Sequence, residues 1–205
     1  MVYQSLKPVI DKLESLFSKF NDRLYDGELQ KPVITVSPDT TKGAYGWCTA
    51  WKAWKALDAD TDGYYEINIC AEHLNREFKQ VCSTLLHEMV HLWNLQNNVQ
   101  DTSRGCTYHN KKFKQVAEQH GLIIEHHEKY GWTLTSLNEE AEQFINEIGD
   151  RKFQLYRDMT TKAKAKPPKQ STRKYICPVC GTIIRATKEV NVICGDCDVS
   201  FEEEE

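Results

Sequence analysis

His87-Glu88-Met89-Val90-His91 brings two imidazoles and a carboxylate into one short stretch of chain. On a helix, positions i and i+4 share a face, so both imidazoles can reach a single ion. Zinc accepts neutral imidazole nitrogen, and two ligands at fixed spacing define part of a tetrahedral shell. Glu88 is turned to the flank of that face, where a carboxylate can touch a metal-bound water without ligating the metal. Zinc lowers the pKa of its water from 15.7 to about 7. The expected chemistry is hydrolysis, with Glu88 as general base on that water and the leaving amine receiving the proton. The metal would also stabilise the developing oxyanion. The pentapeptide sits in a strongly apolar helical pattern, where such polar groups are costly without partners.

A third ligand is needed. The metzincin pattern would place glycine at 94 and histidine at 97, but Asn94 and Asn97 stand there, which excludes that subclass. Four later residues are candidates. His109 opens an expected helix, and His120 lies at its far end, roughly 16 Å away at 1.5 Å per residue, so only one of the two can serve. Glu118 and Cys106 are the other donors of suitable chemistry. His126 and His127 read as surface residues. Spacing alone leans to His109 and leaves the choice open.

A second constellation lies near the C-terminus. Cys177-Pro-Val-Cys180 and Cys194-Gly-Asp-Cys197 are two CxxC hooks with 13 residues between them. Hooks at this separation bring four thiolates to one tetrahedral zinc, the signature of a zinc ribbon. So short a unit holds little core, and metal binding should supply its folding energy. Cys48, Cys70, Cys82 and Cys106 have no hook spacing and read as spectators.

Several elements must position these groups. Leu6, Val9, Ile10, Leu13, Leu16, Phe17, Phe20 and Leu24 recur at intervals of three and four, predicting an amphipathic helix that ends at Asp26-Gly27. Val33–Val36, Gly43–Lys55 and Tyr64–Cys70 read as strands. A long helix is expected over 76–97 and another over 109–120, stopped by Gly121. Ser136-Leu-Asn-Glu139 has capping-box spacing and predicts a helix ending at Gly149. Residues 153–156 read as a short strand. The expected fold class is α+β: a domain over 1–157, a basic linker over 158–174, and a ribbon with an acidic tail over 175–205.

The chain of 205 residues is 40% hydrophobic and 10% aromatic, enough for a core, and its net charge is −4. That total hides its distribution: residues 1–157 are net −4, residues 158–174 net +5 and residues 175–205 net −5. Lys162, Lys164, Lys166, Lys169, Arg173 and Lys174 supply the basic segment and are the candidate nucleic-acid-binding residues. Trp47, Trp51 and Trp54 could offer faces to unstacked bases, although packing in a core or cleft wall is the preferred reading. Glu202–Glu205 read as a solvated tail. No apolar run reaches a bilayer span and residues 1–5 lack a signal-peptide pattern, so no membrane partner is expected and the location should be cytoplasmic, with reduced thiols.

These residues resemble the SprT-like (SprT/Spartan) zinc metalloprotease family. The matching features run from Phe20-Asn-Asp-Arg-Leu-Tyr-Asp-Gly27 through Ile67-Asn-Ile69 and Leu85-Leu-His-Glu-Met-Val-His91 to His109-Asn-Lys-Lys-Phe113. The resemblance implies a zincin-like core of helices on a small sheet, followed by a SprT-type ribbon. It implies that His87, His91 and His109 bind the catalytic Zn2+, that Glu88 is catalytic, and that the four ribbon cysteines hold a structural Zn2+. Spartan-type members cleave proteins bound or crosslinked to DNA, so a protein substrate and DNA are the implied partners. Two other readings stand beside it: a nucleic-acid-binding adaptor with little proteolysis, and a general cytosolic peptidase without a DNA role.

Overall fold

Asn21 ties the first helix to the segment that leads into the first strand. Its amide nitrogen donates to Leu29 O and its oxygen accepts from Leu29 N–H, both at 3.0 Å, across a turn in which Asp26 and Gly27 have positive φ. In the computed structural model, residues 5–39, 43–57, 61–149, 152–158 and 172–204 are described. The protein is mixed α+β, with four helices and several small sheets among those residues. It divides into two compact units, Met1–Met159 and Thr160–Glu205.

In the first unit, α1 (Lys7–Leu24) buries Val9, Leu13, Leu16, Phe17 and Phe20 along one face. The three-and-four spacing of these residues is what makes that face continuous. A three-stranded sheet follows, in the order β1-β3-β2, from β1 (Val33–Ser37), β2 (Gly46–Cys48) and β3 (Glu66–Cys70). Strand β3 is central, parallel to β1 and antiparallel to β2, and its Ile67 and Ile69 are fully buried.

The second strand is far shorter than the Gly43–Lys55 expected from its aromatics. After Cys48 the Thr49 hydroxyl accepts from Glu66 N–H and donates to Trp51 O, and the chain leaves the regular ladder there. Beyond that point a bridge between Trp54 and Tyr64 returns it to pairing. The packing expected of the tryptophans fails for two of them. Trp51 is 65% exposed and Trp54 45%, while Trp47 is half-buried.

Helix α2 (Phe78–Gln96) crosses the core and buries twelve of its residues, Leu85, Leu86, Met89 and Val90 among them. After it come β4 (Thr102–Ser103), β5 (Tyr108–His109), α3 (Lys111–Gln119), β6 (Leu122–His127) and β7 (Gly131–Leu137). The four strands form a sheet in the order β4-β5-β7-β6. The β6–β7 hairpin was not anticipated, because its buried residues Leu122 and Ile124 give way to Glu125-His126-His127, and a register shift at Glu125/His126 breaks the alternation. His109 belongs to β5, so the helix expected from 109 begins two residues later.

Helix α4 (Glu139–Ile148) is capped by Asn138, whose side chain accepts from Ala141 N–H, not by Ser136. Ser136 is instead paired with Ile123 in the hairpin. Residues 153–156 form no strand: Phe153 plugs the core beside Phe78, and Lys12 Nζ lies 4.1 Å from its ring centroid.

The second unit contains β8 (Arg173–Ile176), β9 (Ile183–Ala186), β10 (Ile193–Cys194), β11 (Val199–Ser200) and β12 (Glu202–Glu204). They form a three-stranded sheet in the order β12-β8-β9 and a two-stranded β10-β11 ribbon. Two expectations change here. Glu202–Glu204 are exposed, as expected of a solvated end, but form a strand, and Arg173 and Lys174 are strand residues rather than linker. The reason is charge matched across the ladder: Arg173 Nη1 meets both Glu203 oxygens, at 2.9 and 3.2 Å, and Lys174 pairs with Glu204. Lys162, Lys164, Lys166 and Lys169 lie outside the described residues.

Candidate metal centre

His87 and His91 project from one face of α2, as the i, i+4 spacing requires. Strand β5 delivers His109 to the same point, and the three ligand atoms lie within 4.8 Å of one another. His109 Nε2 stands 3.2 Å from His87 Nε2 and 3.0 Å from His91 Nε2. Nitrogens bound to one tetrahedral zinc at about 2.0–2.1 Å are separated by about 3.3–3.4 Å. The observed spacing is close to that of such a shell.

The opposite ring nitrogens fix the direction of the lone pairs. Thr135 Oγ1 donates its single hydrogen to Thr133 O at 3.0 Å, so it can only accept from His87 Nδ1, 2.8 Å away. Asp101 Oδ2 accepts from His91 Nδ1 at 2.7 Å and from Asn94 Nδ2 at 2.9 Å. Both histidines therefore carry hydrogen on Nδ1 and aim the Nε2 lone pair at His109. His109 Nε2 could donate to only one of them, and its own Nδ1 is buried without a partner. A cation among the three nitrogens satisfies all three lone pairs at once, so the residues present fit a metal ion.

Two of the three imidazoles are held in the neutral form that ligates a metal, and the third is not. Burial, then the neighbouring His91 and His109, holds His87 well below the ordinary histidine value. Burial, then His91, brings His109 down to about 4. For His91 burial works the same way, but the Asp101 hydrogen bond and the charges of Glu88 and Asp101 outweigh it and the pKa rises. Asp101 is lowered: its burial is overcome by the hydrogen bond and charge of His91. Phe113, fully buried, floors the site with its ring centroid 4.6, 4.7 and 4.6 Å from those of His87, His91 and His109. Asn110 caps α3 by accepting from Lys112 and Phe113 N–H, which sets Phe113 one turn into the helix.

Glu88 is buried at the junction of α2 and β2 and accepts a hydrogen bond from Cys48 N–H. Burial raises its pKa to about 7; Asp101 adds to the rise, while His91 and the Cys48 hydrogen bond oppose it. Gly46 permits this contact. A Cβ there would stand 2.7 Å from Asn68 O and 3.3 Å from Glu88 Oε1. Gly131 plays a similar part for His109: at φ +75, where β7 meets β5, a Cβ would lie 2.2 Å from His109 O.

The other third-ligand candidates are elsewhere. His120 stacks on Tyr25 at 4.0 Å and its Nδ1 bonds Leu24 O at 2.6 Å. Glu118 pairs with Lys114, and Cys106 is exposed. Asp101 and Thr135 have no part in the sequence reading of this site, and Phe113 enters it only through the family resemblance. An acidic residue in the loop between the ligand histidines was the one legible signal for Asp101.

The second group is Cys177, Cys180, Cys194 and Cys197, whose sulfurs also lie within 4.8 Å of one another. Cys180 and Cys194 Sγ are 3.7 Å apart, and four thiolates at about 2.3 Å from one zinc would sit about 3.8 Å apart. Thr182, through its hydroxyl and backbone, holds the Cys180 thiol down to about 6, whereas the thiols of Cys194 and Cys197 beside it are raised, so without an ion the four cannot all ionise. Backbone bonds from Gly181 N–H to Cys177 O and from Asp198 N–H to Cys194 O, at 2.9 and 2.8 Å, fold both hooks alike.

One further surface joins cations to aromatics. Arg104 lies over Tyr108, and Tyr108 Oη is 3.5 Å from His126 Nε2. His126 meets Trp132 edge-on, and Lys114 Nζ sits 4.2 Å above the Trp132 ring. Trp132, Lys111 and Lys114 line an open groove with Gln115, Glu118 and Gln119.

The chain belongs to the SprT-like family: the family model matches residues 13–130, more than half of the protein. Membership points to a metallopeptidase-type function, and the matched region includes His87, Glu88, His91 and His109. No curated protein and no solved structure matches the chain.

Proposed function

We propose that the protein is a zinc-dependent endopeptidase of zincin type that acts on proteins bound or crosslinked to DNA. The observation that carries the peptidase reading is the convergence of three Nε2 atoms beside a buried Glu88. His87, His91 and His109 would hold the catalytic zinc, which when bound supplies Lewis-acid polarisation and an acidified water. Glu88 receives the proton of the attacking water and delivers it to the leaving amine. Its burial raises the carboxyl pKa and so favours its accepting that proton. Thr135 and Asp101 keep the imidazoles in the ligating tautomer. The second unit is read as a zinc ribbon, with its ion on the four cysteines.

The DNA part of the reading draws on family resemblance and on the first unit's cation–aromatic surface, since alternating cations and rings suit the phosphates and bases of single strands. Arg173 and Lys174, paired with Glu203 and Glu204, are weaker candidates than the sequence implied. The basic run over 162–169 keeps its proposed role as a phosphate-binding tether. The test is cleavage of a DNA-binding protein by the zinc-loaded chain, with and without single-stranded DNA. Cleavage that depends on DNA is expected. DNA-independent cleavage would favour a general peptidase, and DNA binding without cleavage would favour an adaptor.

A further inference from the structure

Arg76 carries a positive charge to the α2–β2 junction, and among the described residues no carboxylate pairs with it. Its Nη2 donates to Thr84 Oγ1 at 2.9 Å and its Nε to His73 O at 3.0 Å. The guanidinium carbon lies 3.9 Å from the Tyr45 ring centroid, and His73 braces that ring edge-on at 4.7 Å. The group is half-buried, and it forms no ion pair among the described residues. Acids on that side of the fold are engaged elsewhere: Glu72 with Arg157 and the Asp39 N–H, and Asp39 with the Gly43 N–H. Among the described residues Nη1 has no partner.

The location gives this arrangement meaning. Thr84 and Glu88 are i and i+4 on α2, and a Cβ built on Gly46 would stand 3.3 Å from both Thr84 Cγ2 and Glu88 Oε1. Arg76, Tyr45, Thr84 and Glu88 therefore follow one another along a single wall. The four-residue step from Thr84 to Glu88 advances about 6 Å, the length of about two residues of extended chain. A guanidinium desolvated on one side, fixed by a ring and two acceptors and open at one edge, is a preorganised receptor for a planar anion. Leaving such a charge uncompensated is costly, and an incoming carboxylate removes that cost.

We propose that Arg76, oriented by Tyr45, Thr84 and His73, binds a carboxylate of the protein substrate about two residues from the bond being cut. It is a specificity-determining residue, and the proposal rests on the peptidase reading above. The carboxylate belongs to an acidic side chain or to a chain end.

The test uses the full zinc-loaded chain and amidated peptides that differ only by Glu or Gln at successive positions around the cleaved bond. A parallel neutral peptide is offered with a free or an amidated C-terminus. The expected result is a roughly tenfold higher kcat/KM for Glu at one position, or for the free terminus, consistent with a hydrogen bond to a charged group. In Arg76→Gln that preference should fall to within about twofold while the neutral peptide is still cut. Binding of the same peptides to the Glu88→Gln chain, read by fluorescence anisotropy, should show the same preference and the same loss in the double variant. This second readout needs no turnover, so a failure of the peptidase reading is distinguishable from a failure of the carboxylate site. Arg76→Lys, which keeps the charge and loses the fork, should retain part of the preference if Arg76→Gln fails to fold. Absence of any preference in the wild type, or an undiminished preference in the Arg76 variants, overturns the proposal. Arg76-dependent binding of an oligonucleotide, without any peptide preference, also overturns it and assigns the site to phosphate.

Discussion

Asp101 Oδ2 lies 2.7 Å from His91 Nδ1 and is itself held by Asn94, so the loop after α2 reaches back to orient a residue of the helix it leaves. Orientation of this kind raises the basicity of the imidazole and fixes its tautomer. Asp101→Ala should therefore weaken metal binding at the histidine centre by about 10–100-fold while the cysteine group keeps its ion. Competition with a chromogenic chelator measures this, and unchanged affinity would show that Asp101 serves only the loop.

Gly131 holds His109 in place without touching the ion. Any side chain at this residue meets His109 O at 2.2 Å and is strained by the positive φ. Gly131→Ala should push β5 away from α2, destabilise the fold by at least about 1 kcal/mol, and lower the metal content from two ions to one. Zinc quantification together with thermal unfolding tests both parts. Retention of two ions in a fully stable variant would contradict the role given to this close approach.

Metal removal should act differently on the two units. The core of the first unit is a cluster of buried hydrophobic side chains running from Val9 to Phe153. In the second, Tyr175 and two of the cysteines are the buried hydrophobic residues among those described. Chelation, or Cys177→Ser with Cys194→Ser, should leave residues 172–204 open to protease while the first unit resists. Equal resistance of the two units would show that the second unit folds without an ion.

Lys111 and Lys114 provide a test of the cation–aromatic surface. Both are groove residues on α3, and Lys111 stands at the helix start, where a positive charge is unfavourable. Changing both to Gln should reduce single-stranded DNA affinity and flatten its dependence on log salt by about 1.4, taking about 0.7 per lost phosphate contact. An unchanged slope would remove this surface from the DNA reading.

The sequence made the ligand histidines on α2 legible because a helix turns spacing into a shared face. The four cysteines were legible for the same reason: hook spacing fixes local geometry. His109 needed family resemblance, since its approach depends on pairing between β5 and β7 that no local pattern encodes. Thr135 was invisible, because a register shift and a polar His126-His127 pair concealed its hairpin. The tryptophans misled because aromatic content does not reveal where a strand ends; the hydroxyl of Thr49 decides that. Charge summed by segment put Arg173 and Lys174 in a tether, whereas pairing with Glu203 and Glu204 makes them part of a sheet.

The central claim is that Glu88 performs proton transfer beside an ion held by three histidines. The most direct measurement compares wild type with Glu88→Gln, both loaded with zinc and shown to contain equal metal, on a protein substrate bound to single-stranded DNA. The account predicts unchanged zinc content and a loss of cleavage of about 10²–10⁴-fold. Equal cleavage by the two proteins would contradict it.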